Sequence, residues 1–370
     1  MTSVKQKPTI LHVIDTTGPG GAETVFLDLA EKMHIEGHQN LALIKGPGWV
    51  QNQLQARSIP FQVIKPYGFL SLPYYLKLAK LLKHENVVYV QAHLLGSALT
   101  FAILSLVTGT PVVATLHGQV DVNPNERFIG TKRWLLKKGL RKVIAVSGQL
   151  ADYLANRNLF SRQQLSVIHN GINVARYNVE DSGQLRKQYG WPKEAILVGS
   201  IGNIRPAKDY QNLIKAAALV VAENPNTHFL IAGHSKKPLQ TELDELVTKL
   251  NLEKHIHFLG FLDNTPEFLA QLDVFTLSSK EEGFSISTLE AMAAKLPIVV
   301  TQCGGPEEII EPNVDGLMVE VGSPEQLATA ILNAAKDSEA RVNKAFQKVE
   351  TQFNEQVLIK KYSAICVSTI

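Results

Sequence analysis

Short apolar, β-branched runs alternate with longer amphipathic runs through almost the whole chain. In the first half the short runs fall at residues 10–15, 41–45, 61–64, 87–91, 112–116, 143–146 and 165–168. Each has the length of a strand and is bounded by polar or turn-forming residues. Between them, residues 22–35, 73–84 and 98–108 carry apolar positions at helical spacing. In the first of these, Val25, Leu29 and Lys32 follow one another turn by turn beside Phe26, Ala30 and Met33, and Gly37 is the expected stop. The pattern then restarts, with strands predicted at 196–200, 229–232, 256–259, 274–277 and 298–301. Apolar strands joined by helical crossovers predict parallel sheets covered on both faces.

Residues 170–190 are polar and poorly periodic, and they separate the two runs. At 370 residues the chain exceeds what one hydrophobic core usually holds. The expected architecture is therefore α/β, with two doubly wound domains at 1–175 and 176–352. The 45% apolar and 19% charged fractions are ordinary for a globular protein, and a net charge of +3 suits phosphate-bearing substrates without calling for nucleic acid. The two cysteines, Cys303 and Cys366, form no C-x-x-C pair, so neither a disulfide framework nor a cysteine zinc site is expected. A reducing compartment fits that usage. The polar start, Met1 to Pro8, and the strand-sized run behind it suggest no signal peptide, and no window is long and apolar enough to span a bilayer. A cytoplasmic location is the expectation.

In open parallel sheets ligands bind beyond the carboxyl ends of the strands, and three segments there carry chemistry. The first is Gly18-Pro19-Gly20-Gly21-Ala22-Glu23, after the first strand. It reads either as a tight turn or as a loop that lets an anion reach a helix N-terminus. The second is Gly202-Asn203-Ile204-Arg205-Pro206-Ala207-Lys208. Its two cations suit a diphosphate leaving group, whose charge grows as a bond breaks; the alternative is a solvated basic loop. The third runs from Ser279 to Ala293 and holds Glu282 and Glu290, with a helix expected from about Ser285. Amides at that N-terminus could hold phosphate, Glu282 could accept from sugar hydroxyls, and Glu290 could reach a ribose. A charged cap and a surface glutamate are the plainer alternative.

Taken together, these residues resemble the family 4 retaining glycosyltransferases (glycosyl transferases group 1) of GT-B fold, in which two carboxylates at this spacing mark the donor site. Gly20-Gly21-Ala22-Glu23 is similar to the opening loop. His93 and His117-Gly118 resemble two histidine positions at strand ends, and Ala145-Val146-Ser147 and His169-Asn170-Gly171-Ile172 the approach to the linker. Leu296-Pro297-Ile298-Val299, Gly304-Gly305 with Glu307 and Glu308, and Asp315-Gly316-Leu317 resemble the C-terminal pattern. The resemblance implies two Rossmann-like domains facing across a cleft, the first for the acceptor and the second for the donor. Residues 353–370 would form a helix returning to the first domain, with Phe353 and Tyr362 as anchors.

Carried over residue by residue, the resemblance makes His117, Glu282, Arg205 and Lys208 catalytic. Donor contacts fall to Gly20, Gly21, Asn203, Gly233, His234, Phe261, Gly283, Phe284, Ser285, Thr288 and Glu290, and His93 and Glu23 lie on the acceptor side. One departure concerns the basic loop: Asn203 stands where arginine often follows the glycine, and Arg205 comes two residues later. The implied reaction moves a sugar from a nucleoside diphosphate, UDP among the candidates, to a hydroxyl of a glycan, lipid-linked or small-molecule acceptor, as in cell-surface polysaccharide or glycoconjugate synthesis. Retention is implied, with the leaving phosphate helping to deprotonate the acceptor. No Asp-x-Asp stands at a strand end, so no metal or other cofactor is expected. The basic, partly apolar stretches 74–83 and 132–142, the latter with Trp134, are either ordinary peripheral helices or contacts for the inner, cytoplasmic face of a membrane. Competing readings are a nicotinamide-dependent oxidoreductase, which the loop at Gly18 fits poorly, a catalytically silent nucleotide-sugar-binding protein, and a GT-B epimerase or phosphorylase.

Overall fold

The structure is a computed structural model, and it describes residues 7–66, 71–118, 129–235, 237–336 and 338–370. The chain divides into two compact units, Met1–Asn170 with Leu358–Ile370, and Gly171–Val357. The first unit alternates β1 (Thr9–Ile14), α1 (Gly21–Lys32), β2 (Gln39–Ile44), α2 (Trp49–Ala56), β3 (Phe61–Val63), α3 (Leu72–His84), β4 (Val87–His93), α4 (Leu94–Thr108), β5 (Val112–Leu116), α5 (Ile129–Gly139), β6 (Lys142–Ala145), α6 (Gly148–Asn156) and β7 (Leu165–Val167). The second continues with a 3-10 turn (Val174–Tyr177), α7 (Gln184–Tyr189), β8 (Ile196–Ile201), a 3-10 turn (Pro206–Lys208), α8 (Tyr210–Glu223), β9 (Thr227–Ala232), α9 (Lys237–Lys249), β10 (Ile256–Gly260), α10 (Thr265–Leu269) and β11 (Val274–Leu277). It closes with α11 (Ile286–Ala293), β12 (Ile298–Thr301), a 3-10 turn (Pro306–Glu308), β13 (Leu317–Val319), α12 (Pro324–Ala334), α13 (Glu339–Gln352) and α14 (Glu355–Thr369).

Among the described residues the first sheet has the order β3-β2-β1-β4-β5-β6-β7 and the second β10-β9-β8-β11-β12-β13, every pairing parallel. Each order runs outward from a central strand, returns, and continues on the other side. The reversal lies between β1 and β4 in one sheet and between β8 and β11 in the other. At such a switch point two adjacent crossovers leave on opposite faces and open a crevice beyond the strand ends. Both faces of each sheet are covered, so the strands are apolar almost throughout. The core of the second unit, for example, joins Phe229 and Ile231 of β9 to Leu213, Ile214 and Ala217 of α8 and Leu327 and Ile331 of α12.

Several details differ from the sequence reading. Helix α1 stops at Lys32 because Met33 is extended, and Gly37, with φ +77°, serves the turn that follows. The segment 170–190 is polar overall, yet it buries Val174 and Tyr177 and contains α7. The units part at Asn170/Gly171 and Val357/Leu358 rather than at 175/176 and 352/353. The cause is a small parallel bridge between Ile172 and Asn354, in which the Ile172 amide donates to the Phe353 carbonyl and the Glu355 amide to the Ile172 carbonyl. That bridge places Phe353 in the second unit, where its ring packs 5.7 Å from that of Phe284, so it is not an anchor in the first. Tyr362 belongs to the first unit and is fully buried there. Its hydroxyl lies 3.2 Å from Thr115 Oγ1, which accepts from Gln91, which in turn accepts from Tyr89.

Candidate functional site

The switch point of the second sheet gathers the two most chemically loaded segments. After β8 the chain runs through Gly202 to the 3-10 turn Pro206–Lys208, and Asp209, with φ +46°, ends that turn and starts α8. After β11 it loops from Ser278 to Phe284 before α11 begins. Backbone bonds lock these loops together. The Lys280 amide donates to the Ala207 carbonyl at 2.7 Å, and the Ser278 hydroxyl to the Lys208 carbonyl at 3.0 Å. Lys280 Nζ stands 3.2 Å from the buried Asp209 carboxylate.

The result is a contact between side chains far apart in sequence. Lys208 Nζ donates to Glu282 Oε1 at 2.6 Å, and Ser279 Oγ donates to the same oxygen at 2.6 Å. Both charged groups are largely but not wholly covered. Gly202 makes room for the lysine, since a Cβ there would lie 2.6 Å from Lys208 Cε. The loop carrying Glu282 is fixed from below: its amide donates to the Cys303 carbonyl, and its carbonyl accepts from Gly305. Gly305 has to be small, because a Cβ would sit 2.8 Å from Phe284 Cα. Glu307 accepts from the Gly304 amide at 2.8 Å, which gives the Gly304-Gly305 segment a local role as the floor of this loop.

Helix α11 begins at Ile286 with Ser285 as its cap, whose hydroxyl accepts from the Thr288 amide. Thr288 Oγ1 also donates to that hydroxyl at 2.8 Å, and Thr288 is fully buried. Thr288 therefore closes the cap instead of facing outward with Gly283, Phe284 and Ser285 as the sequence reading expects. Phe284 buries its ring, so only its backbone is available for a ligand. Glu290, in the second turn, accepts from Tyr177 Oη at 2.7 Å. Burial raises the Glu290 carboxyl to about 7, against the opposing pull of the Tyr177 hydroxyl and the Arg176 charge. Tyr177 escapes the sequence reading altogether. It lies in a polar segment with no periodicity, and nothing local marks its partner.

The ends of β8, β9 and β10 form a second group. Gly202 donates to Ala232, Gly233 to Gly260 and Ile204 to His234, each through backbone amide and carbonyl. Asn203 Oδ1 accepts from the His234 amide at 3.0 Å, so Asn203 ties two loops together. Gly233 has φ +153°, and a Cβ there would meet the Gly202 carbonyl oxygen at 2.2 Å. The rings of His234 and Phe261 stack at 4.7 Å, inclined by 4°. Arg205 stands exposed on the loop between Asn203 and Lys208.

The remaining candidates belong to the first unit and surround its own switch point. Gly20 caps α1, and the Glu23 carboxylate folds back over it, as close as 2.5 Å to where a Gly20 Cβ would be. Glu23 is buried, three residues after the cap, which is the position of a capping-box glutamate. Gly21 opens the helix. His93 ends β4, and Leu94, with φ +69°, starts α4 directly behind it. His93 Nδ1 and His117 Nε2 are 3.2 Å apart, their rings stacked at 5.4 Å, and Phe26 meets His93 edge-on. One histidine donates and the other accepts. Burial lowers both, His117 to about 3 and His93 well below its usual value, so at neutral pH the pair is uncharged. Among the described residues no group of three or more His, Cys, Asp or Glu is placed to hold a metal ion, and no helix is long and apolar enough to cross a membrane.

Two doubly wound sheets, with cations, carboxylates and a helix N-terminus at the second switch point, define a class that binds phosphate esters of sugars or nucleosides. Comparisons narrow it. The profile described as "Glycosyltransferase Family 4" matches residues 19–176, and that described as "Glycosyl transferases group 1" matches residues 181–348. The N-acetyl-alpha-D-glucosaminyl L-malate synthase of Bacillus anthracis is 26% identical, over 94% of this chain and 93% of that protein. The Escherichia coli UDP-Gal:alpha-D-GlcNAc-diphosphoundecaprenol alpha-1,3-galactosyltransferase is 25% identical, over 71% of this chain and 70% of its own. Among solved structures, Anabaena HepE in complex with UDP and glucose superposes with a TM-score of 0.88, at 24% identity, over 98% of this chain and all of that one. The chain belongs to glycosyltransferase family 4 and is a glycosyltransferase of GT-B fold.

Proposed function

We propose that the enzyme moves a hexosyl group from a nucleoside-diphosphate sugar, a UDP-sugar in the first instance, to an acceptor hydroxyl, with retention and without a metal ion. The observation that carries this reading is the Lys208–Glu282 contact at the switch point between β8 and β11. An ammonium has three N–H donors, so one bond to Glu282 leaves capacity for phosphate oxygens. Lys208, Arg205 and the α11 N-terminus would meet the charge that grows on the departing diphosphate, the task a divalent cation performs elsewhere. Glu282 accepts from hydroxyls of the donor sugar. Glu290 accepts from the ribose, and the His234–Phe261 stack lies beside the nucleoside base. His117, neutral, donates to or accepts from the sugar, with His93 setting its ring orientation.

In the reaction the bond between the anomeric carbon and the diphosphate oxygen breaks, and its electron pair stays with that oxygen. The acceptor oxygen bonds to the same face of the carbon, and its proton passes to the leaving phosphate. The acceptor is a glycan or a lipid-linked saccharide. For the latter the enzyme docks peripherally on the cytoplasmic face of an anionic membrane through α3 and α5. Helix α3 exposes Leu72 and Leu76 beside Lys77, Lys80 and Lys83, and α5 exposes Trp134 beside Lys138.

The test is a thermal-shift titration with nucleoside diphosphates in excess chelator, followed by transfer assays and assignment of the anomeric configuration by NMR. Binding at 100 times Kd raises stability by about 2.7 kcal/mol. Stabilisation by UDP in chelator and an unchanged anomeric configuration in the product are the expected results. A strict divalent-cation requirement, or inversion, would overturn the corresponding part of the proposal.

A further inference from the structure

We propose that Tyr177 is a positioning residue for the donor: its hydroxyl holds one oxygen of Glu290 and so orients the carboxylate that receives the ribose. This inference rests on the ribose contact assigned above. Tyr177 ends the 3-10 turn Val174–Tyr177, a few residues beyond the point where the chain enters the second unit. The turn packs on α10 and α11, and Tyr177 is only 6% exposed. Its hydroxyl donates to Glu290 Oε1 at 2.7 Å, and the Thr265 hydroxyl, at the start of α10, bonds the same phenol. The carboxylate is thereby tethered through one oxygen while the other keeps its acceptor capacity. A glutamate on a helix otherwise samples several rotamers, and binding would have to select one.

The tether also governs protonation. Two ribose hydroxyls donate, so the ligand binds the ionised carboxylate. Burial has raised Glu290 to about 7, and the Tyr177 hydroxyl is the largest influence pulling it down, followed by the charge of Arg176. Of the other elements packed against α11, β11 and β12 carry no charged residue, and Glu267 of α10 is bonded to Asn264. On α13, Glu339, Lys344 and Glu350 are exposed, Arg341 donates to the Ala334 and Lys336 carbonyls, and Lys348 is bonded to Asp315. Donor affinity therefore falls as pH drops through about 7, and removing the hydroxyl moves that fall to higher pH.

The experiment measures donor KM and kcat between about pH 6 and pH 9 for the wild type, Tyr177→Phe and Glu290→Gln. Phenylalanine keeps the ring that fills the site, and a melting curve at about pH 9 checks the fold. The expected result for Tyr177→Phe is an acidic limb displaced upward by about one pH unit, hence a KM raised about fivefold at pH 7 and approaching tenfold at about pH 6, with convergence toward the wild type at about pH 9. The change falls on KM rather than kcat. Thr265→Val, which weakens the phenol's other bond, moves the limb the same way by less. Glu290→Gln is expected to lose donor affinity at every pH. If Glu290→Gln binds donor normally, the ribose assignment itself fails. If Glu290→Gln is impaired while the Tyr177→Phe limb superposes on that of the wild type, the assignment survives and the role of Tyr177 is overturned.

Discussion

Lys208 shows how much one side chain depends on its neighbours. It reaches Glu282 because Gly202 leaves space, because Asp209 accepts a left-handed backbone, and because Ser278 and Lys280 bind its loop. Lys208→Ala should lower kcat/KM for transfer by about 10²-fold or more, the usual scale for removing one donor to a developing anion, and should weaken donor binding in the thermal-shift assay. Unchanged turnover would remove its assigned role. The buried histidines carry a different consequence. His12 and His117 are lowered to about 4 and about 3, and His93 is lowered as well, all mainly by burial. Their unfolded values lie near 6.5, so below that pH the unfolded chain binds more protons and the fold loses stability progressively toward pH 3–4. Melting temperatures recorded from about pH 7.5 down to 4.5 should decline, most steeply below 6.5. At this scale the sequence was legible where spacing carries meaning, as for Glu282 and Glu290 on one loop and helix. It was not legible for Tyr177, whose meaning lies wholly in a tertiary contact.

Among the elements, strands buried on both faces announce themselves, and the predicted runs at 112–116, 274–277 and 298–301 match β5, β11 and β12 end to end. The edge strand β13 went unread because Leu317–Val319 is short and two of its residues are half-covered. Helix ends are harder to read, since caps are settled by local geometry; the bond from Thr288 Oγ1 to the Ser285 hydroxyl that completes the cap of α11 has no signal in the spacing. Two substitutions test how the loops are held. Gly233→Ala forces a methyl against the Gly202 carbonyl from a backbone with φ +153°. It should cost about 1–3 kcal/mol, read as a lowered midpoint in urea unfolding. Asp315→Ala leaves Lys348, which bonds both Asp315 and the Ile309 carbonyl, without its buried carboxylate partner. A loss of about 3 kcal/mol is expected, with donor affinity retained in whatever remains folded.

At the scale of the molecule, the restart of the strand–helix pattern was enough to foretell two doubly wound units, because periodicity reports which faces are covered. The exchange of the last helix was legible only through family resemblance; no local feature of residues 353–370 says which core it joins. Vesicles rich in anionic lipid should retain the protein at low salt and release it at high salt. Replacing Leu72, Leu76 and Trp134 by serine should abolish retention while leaving transfer to a water-soluble acceptor intact. The burial of Tyr362 against Thr115 has an outcome for biosynthesis. The unit translated first lacks a piece of its interior until residues 358–370 have been made, so a nascent chain stalled anywhere before residue 358 exposes an unsealed apolar face. The first unit is completed only after the second has been translated, and chaperone dependence should be greatest for that first unit.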